Sequence, residues 1–252
     1  MIKYGFILLI SLSVLSKAGA QDVAVLMKVA QNYERDLKEP EALEQYKLVL
    51  ANDPNNIKAL VKTAELSCLI GGRLENKTDK RLQYESAMSF ARRALAVDNN
   101  SADANCAIAM VSGKLTEVET DNKKIVAYVR DIKVYANKAL AINPNHATAN
   151  FIEGRWHYEM VTLNTLKRAA AKVLYGGLPE ASLDSAMAYL EKSKQLNQYS
   201  VITYYYLNKA YREDNKPTKQ IDLLSKMVKL PTRTFDDIAM KEEAAKELAS
   251  LQ

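Results

Sequence analysis

The chain has 252 residues, 48% hydrophobic and 26% charged, with 35 basic against 30 acidic side chains and a formal net charge of +5. Such a balance spread over a whole chain excludes the clustered basic footprint of a nucleic-acid binder. Two cysteines do not make a disulfide scaffold.

The N-terminus comes first. Lys3 gives a positive start, Phe6 to Leu15 is an apolar run broken only by Ser11 and Ser13, and Ala18-Gly19-Ala20 closes it before Gln21. These are the parts of a secretory signal peptide, and the run is well short of the ~20 residues a membrane-spanning helix needs. Residues 1–20 are expected to be removed after Ala20. The mature protein is then exported, periplasmic or secreted, without stable membrane insertion. The alternative is retention of this segment as an anchor, which would make a membrane-tethered contact-site protein.

Beyond residue 20, scarce glycine and proline, with Ala, Leu, Lys and Glu dominating, read as helix nearly throughout. Residues 21–252 are expected to form a single helical-repeat domain with units at 23–56, 57–101, 102–146, 147–200 and 201–234. Leu50-Ala51-Asn52-Asp53-Pro54-Asn55, Leu95-Ala96-Val97-Asp98-Asn99-Asn100 and Leu140-Ala141-Ile142-Asn143-Pro144-Asn145 share one ending, and Pro54, Asn99 and Pro144 are 45 residues apart. Proline stops a helix because it cannot donate to the ladder and restricts the residue before it. Small or apolar residues precede these endings in steps of four and three: Ala42, Tyr46, Val49; Ala87, Ala91, Ala94; Ala136, Ala139; Ala186, Leu190, Ser193. Such steps mark one helix face, and small residues there let a neighbouring helix approach. Residues 235–251, apolar at Ile238, Ala239, Ala244, Ala245, Leu248 and Leu251, are expected to form a capping helix. Cys68 falls late in the first helix of unit two and Cys106 early in that of unit three. The offset, roughly 10 Å along parallel helices, exceeds the ~7 Å reach of a disulfide. No bond between them is expected, and each is read as a small buried residue.

The pattern resembles the tetratricopeptide repeat. Unit one fits the ~34-residue period without a gap. Units two and three carry about eleven extra residues and unit four about twenty, which longer helices and a longer connection within each unit would absorb. The fold class implied is all-α, a right-handed superhelix of antiparallel helix pairs with lengthened helices. Stacked neighbours bury each other's apolar stripes, leaving one curved face free.

The second half is more specific. Gly113-Lys114-Leu115, Ile132-Lys133-Val134-Tyr135-Ala136-Asn137-Lys138-Ala139-Leu140, Gly154-Arg155-Trp156, Leu174-Tyr175-Gly176-Gly177-Leu178-Pro179 and Lys229-Leu230-Pro231 follow in an order that resembles the regulator of microtubule dynamics family. The resemblance covers roughly residues 57–250. It implies a non-catalytic, interaction-type role, in a family associated in animals with microtubules and organelle contact sites. An exported chain would not meet tubulin.

The repeat resemblance also places concave-face positions on the first helix of each unit. In units four and five these are Thr148, Phe151, Arg155 and Tyr158, then Ile202, Tyr205, Lys209 and Arg212. Phe151, Tyr158 and Tyr205 beside Arg155, Lys209 and Arg212 would form an aromatic-basic groove for a protein or peptide segment of acidic character. Of Tyr204-Tyr205-Tyr206, one is read as core and two as facing the groove or neighbouring helices.

Chemistry is hard to find. The only two histidines, His146 and His157, have no zinc-site spacing, and the Gly71-Gly72 and Gly176-Gly177 pairs lack a following Lys-Ser/Thr. Glu153 and His157, four apart, read as a surface hydrogen-bonding pair rather than a metal site. No enzyme activity, metal or cofactor is expected. The competing enzyme reading would use Arg155, His157 and Lys172 in the unit-four insertion.

Overall fold

Helix starts in this chain are set by side chains that take up first-turn amide protons lacking a partner in the helix itself. Asn56 accepts from the Ala59 N–H, Asn76 from Thr78 and Asp79, Ser101 from Ala104, Asp121 from Lys123 and Ser182 from Ser185. Pro40 and Pro217 sit in first turns, where no amide donor is needed. The computed structural model describes residues 22–164, 169, 173 and 180–252. The expected leader, Lys172 and the Leu174-to-Pro179 loop lie outside the described residues.

The first unit is α1 (22–35) and α2 (Glu39–Asn52). The next two are α3 (Ile57–Gly72) with α4 (Lys77–Val97), and α5 (Ala102–Val118) with α6 (Asn122–Ile142). Then come α7 (Ala147–Val161) with α8 (Leu183–Leu196), α9 (Val201–Glu213) with α10 (Pro217–Met227), and α11 (Phe235–Leu251). Among the described residues there is no strand. The order and packing are those of a tetratricopeptide-like superhelix, each helix pair lying against the next.

The lengths correct one expectation. In units two and three the connections between paired helices are short, so the extra residues lengthen the helices themselves, to 21 residues in both α4 and α6. Units one and five keep a tight turn with a left-handed residue, Leu37 (φ 58°) and Asn215 (φ 52°). There the Lys38 and Lys216 amides donate back to the Tyr33 and Tyr211 carbonyls.

The small-residue face is the packing face. Ala42, Tyr46, Val49, Ala87, Ala91, Ala94, Ala136, Ala139, Ala186 and Leu190 are all fully buried. The buried apolar residues of the described chain fall into three clusters, which half-buried Met110, Tyr135 and Phe151 bridge. One cluster runs from α1 to α5, a small alanine-rich one joins α5, α6 and α7, and a third fills α8 to α11. Cys68 and Cys106 are buried free thiols, and burial pushes Cys68 up to about 12.

Arg73, after α3, forms ion pairs with both Glu39 at the start of α2 and Asp236 at the start of α11. The two ends of the array therefore touch. A first-turn amide of α11, that of Phe235, takes Glu39 as its acceptor, which draws the last helix onto the first repeat.

Candidate partner-binding groove

The six expected groove residues lie on α7 and α9, and five of them converge on a residue outside that set, Tyr206. Phe151, Tyr158 and Tyr205 meet its ring edge-on, with centroids 5.7, 6.1 and 5.7 Å away. The Arg155 guanidinium lies 4.9 Å from its centroid, and the Lys209 ammonium 5.8 Å from it and 4.4 Å from Tyr205. Edge-to-face rings and stacked cations each add modestly beyond their buried area. Phe151, Tyr158, Tyr205 and Tyr206 are half-buried against the C-terminal core cluster, so they serve packing and surface together. Tyr204 is the core member of the tyrosine triplet.

The charges of the groove are mostly answered within the chain. Arg155 donates to Glu159 at 3.0 Å, and the Tyr206 hydroxyl donates to the same carboxylate at 3.4 Å. Burial pushes the Tyr206 hydroxyl up to about 12, keeping it a donor. Helix α11 supplies the other acids. Tyr205 donates to Glu243, while Glu247 accepts from Asn208, Gln220 and Arg212. Arg212 is thereby drawn toward α11 rather than toward Tyr206. Lys209 has no ion-pair partner among the described residues. Thr148 is exposed and Ile202 half-buried at the rim.

On the opposite face of α7 the structure corrects the reading of Glu153 and His157 as a surface pair. Glu153 is fully buried and His157 is 7% exposed. Lys133 of α6 reaches in between them, donating to Glu153 and lying 3.3 Å from His157 Nε2. Its ammonium also sits 4.6 Å from the centroid of the Trp156 ring. His157 stacks on Tyr189 at 5.8 Å, and its Nδ1 accepts from the Ser182 amide at 3.4 Å. Glu153 Oε1 and Trp156 Nε1 have no hydrogen-bond partner among the described residues. These polar groups form a buried layer among α6, α7 and α8. The sequence held a signal for it: units one and five place Val29, Tyr33, Leu207 and Tyr211 where unit four places Glu153 and His157. Polar groups at such positions require a buried partner.

Burial, reinforced by Lys133, lowers His157 to about 4. The unfolded chain takes up a proton near pH 6.5 that the folded chain refuses, so stability falls as pH drops from about 6.5 to 4 and then levels off. The ceiling is about 3 kcal/mol at 1.36 kcal/mol per pKa unit. Glu153, raised by burial against the pull of Lys133, gives the opposite slope above its ordinary 4.5. Chemical unfolding across this range should therefore show a shallower acid-side fall in His157→Gln than in the parent. Parallel curves would contradict a neutral buried His157.

Arg155 and His157 point to different neighbours, Glu159 and Tyr206 against Lys133 and Tyr189, so the enzyme reading does not bring them together. His146 contacts Cys106 Sγ at 3.5 Å and Asp103 at 2.9 Å, but its Nδ1 caps α7 by accepting from Ala149. Burial pushes the Cys106 thiol up, away from the reactive thiolate.

A family model described as regulator of microtubule dynamics protein 1-3 matches residues 25–252. The chain is 31% identical over 205 residues to mouse regulator of microtubule dynamics protein 1, covering 80% of this chain and 62% of that protein. The bovine protein of the same name is 29% identical over 209 residues, covering 82% and 64%. Among solved structures, a thermophilic TPR protein of Thermus thermophilus superposes with a TM-score of 0.63 at 13% identity, covering 89% of this chain and 99% of that one. That last likeness concerns the fold. The chain spans about three fifths of the length of the mouse and bovine relatives.

Proposed function

This chain belongs to the regulator of microtubule dynamics protein 1-3 family, and we propose that it is a non-catalytic scaffold holding a segment of a partner protein against α7 and α9. The observation that carries this reading is Lys209. Its ammonium rests on Tyr205 and Tyr206 and, among the described residues, lacks the carboxylate that Arg155 and Arg212 each have. A half-buried cation on an aromatic bed is a receptor for an acidic side chain, which would gain charge pairing and ring contact at once. Microtubule regulation stays with the relatives that carry it in their names.

We place the protein in the cell envelope or outside the cell, with residues 1–20 acting as a cleaved signal peptide. The charged start, short apolar run and Ala18-Gly19-Ala20 support this. No helix among the described residues is long and apolar enough to cross a membrane. Mass spectrometry of the mature N-terminus checks it: a chain beginning at Gln21 supports export, and one beginning at Met1 favours the anchor.

Fluorescence anisotropy with a library of acidic-aromatic peptides, and the same library with each acid amidated, tests the groove. Acidic peptides should bind more tightly, and Lys209→Glu should weaken them at least tenfold, about 1.4 kcal/mol, with helicity unchanged. Equal binding of the two libraries, or indifference to Lys209→Glu, would remove the groove from this reading.

A further inference from the structure

Arg73 joins parts of the chain that its own hairpin gives it no reason to touch. It reaches the Glu39 carboxylate and lies 3.0 Å from Asp236 Oδ1, 163 residues along the chain. Its guanidinium also sits 5.5 Å from the centroid of the Phe235 ring. Glu39 completes the set by accepting the Phe235 amide at 3.2 Å.

The arrangement is reciprocal. At the start of α11, Asp237 accepts the Arg233 and Thr234 amides and Thr234 accepts that of Asp237. The Phe235 amide is left for an acceptor from elsewhere, and Glu39 supplies it. A carboxylate in the first turn of α2 is already favoured there by the helix dipole and would ordinarily stay hydrated. Instead its side chain is only 3% exposed, while the Arg73 and Asp236 side chains are both 34% exposed.

We infer that Arg73 is a latch that holds the first repeat against the capping helix and so fixes the curvature of the inner face. Desolvating Glu39 offsets much of the attraction between the charges. The closed form is therefore favoured by a margin small enough that losing one partner tips the balance toward the open form. The inference goes beyond the groove, and its readout requires no partner.

Spin labels on the exposed positions Glu41 of α2 and Glu242 of α11, placed as cysteines in the full chain, report the distance between the two ends. Cys68 and Cys106 are buried and out of reach of the label. Double electron–electron resonance should give one narrow distance in the parent. In Arg73→Met the distribution should broaden and shift to longer distances, with helical circular dichroism retained. Because that variant strands the Glu39 charge, Arg73→Met combined with Glu39→Gln provides a neutral counterpart and should open in the same way. The same narrow distance in both variants would overturn the latch.

Discussion

Gly154→Ala is expected to destabilise the protein by about 2 kcal/mol net, although alanine is the better helix former. A Cβ at this position would lie 2.6 Å from Leu190 Cγ, 3.0 Å from Leu190 Cδ2 and 3.0 Å from the Ala186 carbonyl oxygen. Only Leu190 Cδ2 ends a side chain, and burial leaves that side chain little room to give way. Leu190 is fully buried in α8, and the carbonyl belongs to the backbone of that helix. The gain in helix propensity is about 1 kcal/mol, whereas overpacking a filled site costs ~1–3 kcal/mol and occasionally more. A clash with backbone sits at the upper end of that range, so the steric loss wins. Gly113 supplies the control, since its added Cβ would meet only Ile132 Cδ1, at 3.8 Å. Gly113→Ala should therefore be neutral or stabilising by up to ~1 kcal/mol. Denaturant unfolding of the two variants decides the matter. Equal stabilities would mean that α7 and α8 are not in close contact at Gly154.

The same contact shows what was legible beforehand. Ala186 and Leu190 were readable as one packing face because steps of four and three are a local property of a helix. The matching Ala87/Ala91 and Ala136/Ala139 faces made the stacking readable too. The groove was half legible. Concave positions gave Phe151, Arg155, Tyr158, Tyr205 and Lys209, but not Tyr206, at which they meet. Periodicity says which side a residue takes and not how far a ring reaches across to the next helix. Glu159, Glu243 and Glu247 were missed for a related reason: a carboxylate on a solvated helix face does not show in the sequence which hydroxyl, amide or guanidinium it will meet. The contact of Arg73 with Asp236 left no trace in the sequence, since no repeat spacing relates residues at opposite ends of an array. Even the extra residues of units two and three were misplaced in part, because added length looks the same whether it extends a helix or a loop.

Lys133→Met should cost more than any surface change, about 3–5 kcal/mol at neutral pH, because it leaves Glu153 buried without its cation. The loss should depend on pH in a definite direction. Burial already raises the Glu153 carboxyl against the pull of Lys133, and without Lys133 it rises further. The folded variant then binds a proton that the unfolded chain releases above about 4.5, so its stability falls as pH rises. Meanwhile the Lys133 charge no longer depresses His157, which shrinks the acid-side penalty described above. Both effects favour the variant at low pH, so the gap between variant and parent should widen from about pH 4.5 to about pH 7. Adding Glu153→Leu removes the stranded charge and should recover most of the loss, since replacing a whole buried pair by apolar groups is often neutral. Unfolding curves for the parent, both single variants and the double variant at two pH values contain the test. A Lys133→Met protein within about 1 kcal/mol of the parent at neutral pH, or a double variant no better than the single, would show that water reaches Glu153 and that the polar layer between α6 and α7 is not dry.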